Sequence, residues 1–159
     1  MPDDDGGVDG GDRVYYVVSD LHVGGDEQLG EVESLDELLA FLETLEETDE
    51  DAELVVNGDA FGLWEFTTVE GVEKFDVLVA EYPRLFEQLR ATGENVPITL
   101  LPGNHDHELA AYDAYAERFA EYNVDLVQDV SIRRRVGDHV VHFEHGHQQD
   151  PNNRIEDWG

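Results

Sequence analysis

The chain has 159 residues, with 39 Asp plus Glu against 9 Lys plus Arg and a formal charge of −30, so no basic stripe tracks a phosphate backbone and long nucleic acids are disfavoured partners. It contains no cysteine, which excludes disulfides and thiolate metal sites. No apolar run approaches the roughly 18 residues of a membrane span and no charged-then-apolar leader precedes a cleavage site, so a cytoplasmic protein is expected.

The start, MPDDDGGVDGGD, is acidic and glycine-rich and reads as a disordered tail over residues 1–12, leaving one domain over 13–159. Arg13–Val18, RVYYVV, reads as a buried strand. Ser34–Glu47 reads as a helix: Leu35, Leu38, Leu39, Leu42 and Leu45 make one apolar face, and Ser34 with Glu37 has capping-box spacing. Glu53–Asn57 is a second strand. Val69–Arg90 is again helical, with Pro83 kinking or dividing it and Gly93 as its C-terminal stop. Pro97–Leu101 is a third strand, His107–Tyr122 a helix, and Val124–Val127 a short strand. Val130–Val136 and His139–Phe143, joined through Gly137-Asp138, read as a β-hairpin. Alternation of strands and helices followed by a hairpin predicts an α/β fold with a largely parallel sheet and an antiparallel extension.

The acid excess, with Lys74 as the only lysine, fits a folded halophilic protein. At 1 M salt the Debye length is ~3 Å and repulsion between carboxylates is screened. This composition describes a habitat rather than an activity.

Four apolar runs end in polar residues of one chemical kind. VYYVVS leads into Asp20-Leu21-His22, ELVVNG into Asp59, ITLLPG into Asn104-His105-Asp106, and VVHFE into His145-Gly146-His147. In open parallel sheets, ligands gather beyond the carboxyl ends of the strands, so all four sets are expected at one rim. Asp20 and His22, two residues apart, would point the same way in extended chain. Carboxylate, imidazole and amide oxygen without thiolate suit Mn, Fe, Zn, Co or Ni. A lone Asp59 can bridge two ions, and a pair ~3.5–4 Å apart can activate a hydroxide for phosphoryl hydrolysis. Each piece alone also fits a capped turn; order and placement together favour the site.

At this point the sequence resembles the calcineurin-like metallophosphoesterase family, through SDLH (Ser19–His22), NGD (Asn57–Asp59), GNHD (Gly103–Asp106) and HGH (His145–His147), in family order. NGDAFGLWE, Asn57–Glu65, also looks like the branch that includes UDP-diacylglucosamine hydrolases. The resemblance implies an α-β-β-α sandwich with a mostly parallel first sheet and, in this chain, an incomplete second sheet. It implies two divalent metal ions, manganese preferred, with Asp20, His22 and Asp59 on the first and Asp59, Asn104 and His145 on the second. His105 would protonate the leaving oxygen and Asp106 would orient its imidazole. The implied reaction is hydrolysis of a small phosphomonoester, phosphodiester or pyrophosphate by a bridging hydroxide.

Two departures stand out. Gly62 occupies the position where many relatives carry a second aspartate, and the family's last motif, Gly-His-x-His, is not found. The chain therefore reads as truncated at its C-terminus, and the alternative function is a catalytically silent or partner-dependent metal-binding fragment. A DNA-repair nuclease is a weaker option, opposed by the acidic surface. Of the remaining residues, His107 is expected at a solvated surface, His139 exposed and His142 partly buried. Arg133-Arg134-Arg135 is expected to pair with carboxylates in solvent, and Trp64 and Phe66 line a substrate wall or pack on the following helix.

Overall fold

A computed structural model describes residues 13–25 and 34–155; the tail expected over residues 1–12 lies outside them. Four short strands, β1 (Val14–Val18), β2 (Ala52–Asn57), β3 (Ile98–Leu101) and β4 (Val124–Leu126), form one parallel sheet in the order β1-β2-β3-β4. Among the described residues, four α-helices join them: α1 (Leu35–Glu46), α2 (Glu73–Glu81), α3 (Pro83–Asn95) and α4 (Asp113–Ala120). A hairpin of β5 (Ser131–Val136) and β6 (His139–Glu144) makes a separate two-stranded antiparallel sheet. The architecture is the expected α/β one. Helices, parallel sheet and hairpin supply the first three of the four expected layers.

Side-chain alternation along the parallel strands divides the interior into two unequal parts. Tyr16 and Val18, Leu54 and Val56, Ile98 and Leu100, and Val124 and Leu126 point toward the helices and share the main core with Leu39, Leu42, Leu45, Phe75, Phe86 and Phe119. The opposite face is smaller: Val55 and Leu101 meet Ile132 of the hairpin, with Tyr15, Val127 and Phe143 around them. Beside that apolar patch lies a polar one. Glu53, 3% exposed, accepts from Thr99 Oγ1 at 2.7 Å and from Arg134 Nε and Nη2 at 3.0 and 2.9 Å. Arg134 therefore pairs with a buried carboxylate between the sheets, where solvent pairing was expected; Arg133 and Arg135 are exposed.

Helix boundaries differ from the sequence reading for local reasons. Ser34 makes no side-chain cap, because its ψ of 18° departs from the extended conformation that aims a capping oxygen at the next turn. Gly71, at φ 58°, precedes the start of α2, and Pro83 divides the expected long helix by opening α3 at its first turn. Gly93 does not stop α3, which runs on to Asn95; a β-carbon there would lie 2.5 Å from Asn123 Cβ, so this glycine serves a close approach. The helix expected over His107–Tyr122 breaks into a 3₁₀ turn, His107–Ala110, and α4, with Tyr112 extended between them. Gln128 Nε2 donates to the Leu109 and Tyr112 carbonyls at 2.8 and 2.9 Å and so satisfies the break.

The same turn is held by an ion pair. Lys74 Nζ lies 2.5 Å from Glu108 Oε2, whose other oxygen accepts from Tyr115 Oη at 2.7 Å. Both charged groups are largely buried, so molar salt screens them little. Lys74→Met should therefore destabilise the protein by about 3–5 kcal/mol, measured by urea denaturation, with a loss that persists between low and molar salt.

Candidate metal centre

Register places the carboxyl ends of three strands level: Val18 pairs with Val56, and Val56 with Leu100. Beyond Val18 the parallel pairing continues outside regular strand. The amides of Asp20, His22 and Val23 donate to the carbonyls of Gly58, Asp59 and Ala60 at 3.1, 3.0 and 2.9 Å. Asp20, His22 and Asp59 nevertheless have φ of 56°, 50° and 54°, and Asn123 is the fourth non-glycine residue with positive φ among those described. Left-handed backbone at three adjacent candidate ligands is strain concentrated at a site. It also replaces the extended Asp20-x-His22 geometry that the sequence suggested.

These turns bring donors together in two groups that share Asp59. Ligand atoms of His22, Asp59 and His105 lie within 4.8 Å of one another, as do those of Asp20, Asp59 and His145. His22 Nε2 is 3.7 Å from Asp20 Oδ1 and 3.8 Å from Asp59 Oδ2, and His145 Nε2 is 3.2 Å from the same Asp59 oxygen. Asn104 is buried between Gly103 and His105, both of which abut Asp59. Asp20, His22, Asp59, His105 and His145 thus share one cluster, with Asn104 alongside.

Two glycines make the approach possible. A β-carbon on Gly103 would stand 2.2 Å from Asp59 Oδ1, and one on Gly58 would stand 2.5 Å from the His145 ring. The hairpin delivers His145 to this rim. Asn57 Nδ2 donates to the Glu144 carbonyl at 2.9 Å, and His145 Nδ1 donates to the Asn57 carbonyl at 2.9 Å. That second bond fixes the tautomer and leaves Nε2 facing Asp59, the arrangement a metal-binding imidazole needs.

Asp106 sits behind the cluster. It is fully buried, and its oxygens accept from the amides of Gly103 (2.6 Å), Phe61 (3.1 Å) and Asp59 (3.2 Å). Burial pushes its carboxyl up to about 6 in spite of these donors. Asp106, expected to orient the His105 ring, braces three loop amides with its two oxygens. The carboxylate facing His105 Nδ1, at 3.3 Å, is that of Glu65 in a 3₁₀ turn, Leu63–Glu65. Sequence reading passed over Glu65 although it closes the quoted NGDAFGLWE stretch.

Charge is unevenly held. Burial pushes the Asp59 carboxyl up, but the His145 hydrogen bond and the His105 amide at 2.9 Å outweigh it and the net shift is downward. The Asp59 hydrogen bond raises His145 to about 9. Burial, aided by the charge on His145, lowers His147, which is buried with its ring centroid 5.5 Å from that of His145. His107 is half-buried, with Nδ1 3.0 Å from the Asn104 carbonyl, whereas His142 is exposed rather than partly buried. Phe66 packs in the core; Trp64 is 50% exposed, its ring centroid 4.1 Å from that of His105.

The donor set suits divalent cations: hard carboxylates and borderline imidazoles, preorganised around one shared carboxylate. The four-stranded parallel sheet carries these candidate metal donors at its carboxyl rim, in an α/β domain. The sequence profile of the calcineurin-like phosphoesterase family matches residues 14–159, and the chain belongs to that family, whose members are metal-dependent phosphoester hydrolases. No curated protein matches the chain significantly. Among the described residues no helix is long and apolar enough to cross a membrane.

Two outcomes follow. Asp106→Asn puts an amide group where an oxygen faces backbone N–H donors, and should cost about 1–3 kcal/mol in denaturant unfolding. In the metal-free protein the folded His145 pKa near 9 exceeds the ordinary 6.5. Its stabilising pair is therefore complete below pH 6.5 and fades as pH rises through 9. A cation must displace that proton, so binding at pH 7 should release about one proton and tighten toward pH 9, as calorimetry in buffers of different ionisation enthalpy would register.

Proposed function

We propose that this chain hydrolyses a small phosphomonoester, phosphodiester or pyrophosphate at a centre for two divalent cations, manganese preferred. The observation that carries the reading is Asp59, one carboxylate oxygen met by imidazoles from both sides, His22 Nε2 at 3.8 Å and His145 Nε2 at 3.2 Å, with Asp20 Oδ1 3.7 Å from that His22 nitrogen. Asp20, His22 and Asp59 would hold one cation, and Asp59, Asn104 and His145 the other. When bound, such cations supply Lewis acidity that lowers the pKa of water and neutralises charge on phosphoryl oxygens.

The protein's own residues do the rest. Asp59 stays ionised at neutral pH because His145 and the His105 amide favour its charged form. His145, oriented by the Asn57 carbonyl, presents Nε2. His105, partly exposed beside the cluster, is placed to donate a proton to the departing oxygen of an alkyl ester, whose alkoxide is too basic to leave unprotonated near neutral pH. Asp106 keeps the Asp59 and Gly103 loops in register, so it acts on geometry rather than on protons. A high-salt habitat, supported by the charge of −30, and a cytoplasmic location belong to the same reading.

The test is direct. Strip the protein of metal in molar salt, restore manganese, and follow p-nitrophenyl phosphate and bis(p-nitrophenyl) phosphate. Asp59→Asn should lower both bound metal and turnover, the latter by more than about a hundredfold; unchanged activity refutes the assignment. Stoichiometric metal without hydrolysis of either ester would favour the alternative of a silent or partner-dependent metal-binding protein.

A further inference from the structure

We infer that Glu65 is a positioning residue that sets the imidazole of His105, an inference resting on the proposed role of His105 as proton donor. An imidazole can serve that role only if one nitrogen faces the substrate and the other is held by something that fixes ring and tautomer. Asp106, two residues from Asn104 and adjacent in sequence to His105, has its oxygens occupied by three backbone amides. Glu65 is the carboxylate that meets the ring, its Oε1 3.3 Å from His105 Nδ1.

That nitrogen is buried and makes no hydrogen bond, so a ring nitrogen in need of a partner confronts a carboxylate oxygen 3.3 Å away. Contacts of this kind are commonly long in the resting state and close when substrate binds. The surroundings keep Glu65 in place. The Trp64 amide donates to the His105 carbonyl at 3.2 Å, fastening the short turn that carries Glu65 to the loop that carries His105. The Trp64 ring covers His105 at 4.1 Å, and His22 meets it edge-on at 4.6 Å, which leaves the imidazole little freedom to swing away.

Space is reserved for the carboxylate as well. A β-carbon at Gly25 would stand 2.8 Å from Glu65 Oε2 and 2.9 Å from Glu65 Cβ, and one at Gly62 would stand 3.1 Å from Oε2. Gly62 is the position where relatives with a second aspartate would carry a side chain. Here the missing side chain makes room for a carboxylate from three residues further on, directed at the histidine.

Two variants and two readouts test this. In metal-free protein, long-range nitrogen–proton NMR of the neutral His105 ring should find the proton on Nδ1 in wild type and in Glu65→Gln, whose amide oxygen still accepts it. Glu65→Ala should shift the ring toward the other tautomer. With manganese and glycerol 2-phosphate, whose alkoxide leaving group needs a proton, Glu65→Ala should lower kcat about tenfold or more while KM stays within about twofold, and Glu65→Gln should stay within about threefold of wild type. A Glu65→Ala protein with unchanged His105 nitrogen shifts overturns the inference. So does a Glu65→Gln protein as slow as Glu65→Ala, since charge rather than orientation would then be the cause. If wild type hydrolyses no ester, the phosphoesterase reading fails, and the NMR comparison alone still decides the role of Glu65.

Discussion

The position of one carboxylate governs this structure. Asp59 has a left-handed backbone, its Oδ1 accepts from the His105 amide, and its own amide donates to Asp106. Loops following β1, β2 and β3 all converge on it, through the His22 amide, the Gly58-Asp59 turn and Gly103. Left-handed conformations at Asp20, His22 and Asp59 cost on the order of 1–3 kcal/mol each. The amides of Asp20, His22 and Val23, bonded to the Gly58, Asp59 and Ala60 carbonyls, hold the chain in these conformations. The strain and the bonds that hold it are one device for crowding anionic and imidazole groups that would otherwise spread apart.

The hairpin completes this crowding from the other face of the sheet. Its apolar contact with the parallel sheet is small, Val55 and Leu101 against Ile132, and is supplemented by Glu53, Arg134 and Thr99. A hydrogen-bonded pair of this kind contributes less net stability than apolar packing of equal volume, but it is directional. It fixes where β5 lies, and β6 with it, so that Asn57 can meet both Glu144 and His145.

Strands and their common rim were legible in the sequence because a short apolar run ending in polar residues carries both period and direction. VYYVVSD, ELVVNGD and ITLLPGNHD each state where a strand stops and what it presents. Helix limits were less legible, because contacts distant in sequence decide them. Gln128 caps the break at Tyr112, and Gly93 answers to Asn123 rather than to the end of its own helix. Within the site, the clustering of Asp20, His22, Asp59, His105 and His145 follows from strand ends that the sequence marks. Which carboxylate faces His105 depends on a short turn between β2 and α2 and on the room left by Gly25 and Gly62, neither of which has a periodic signature.

The buried Lys74 has a chemical corollary. As the only lysine, with Glu108 against its ammonium group, it leaves the folded domain without an accessible side-chain amine. Reagents and enzymes that acylate, cross-link or tag lysine would find no side-chain handle until the packing between α2 and the turn at Glu108 opened. Amine reactivity at that one position would then report directly on loss of the native state.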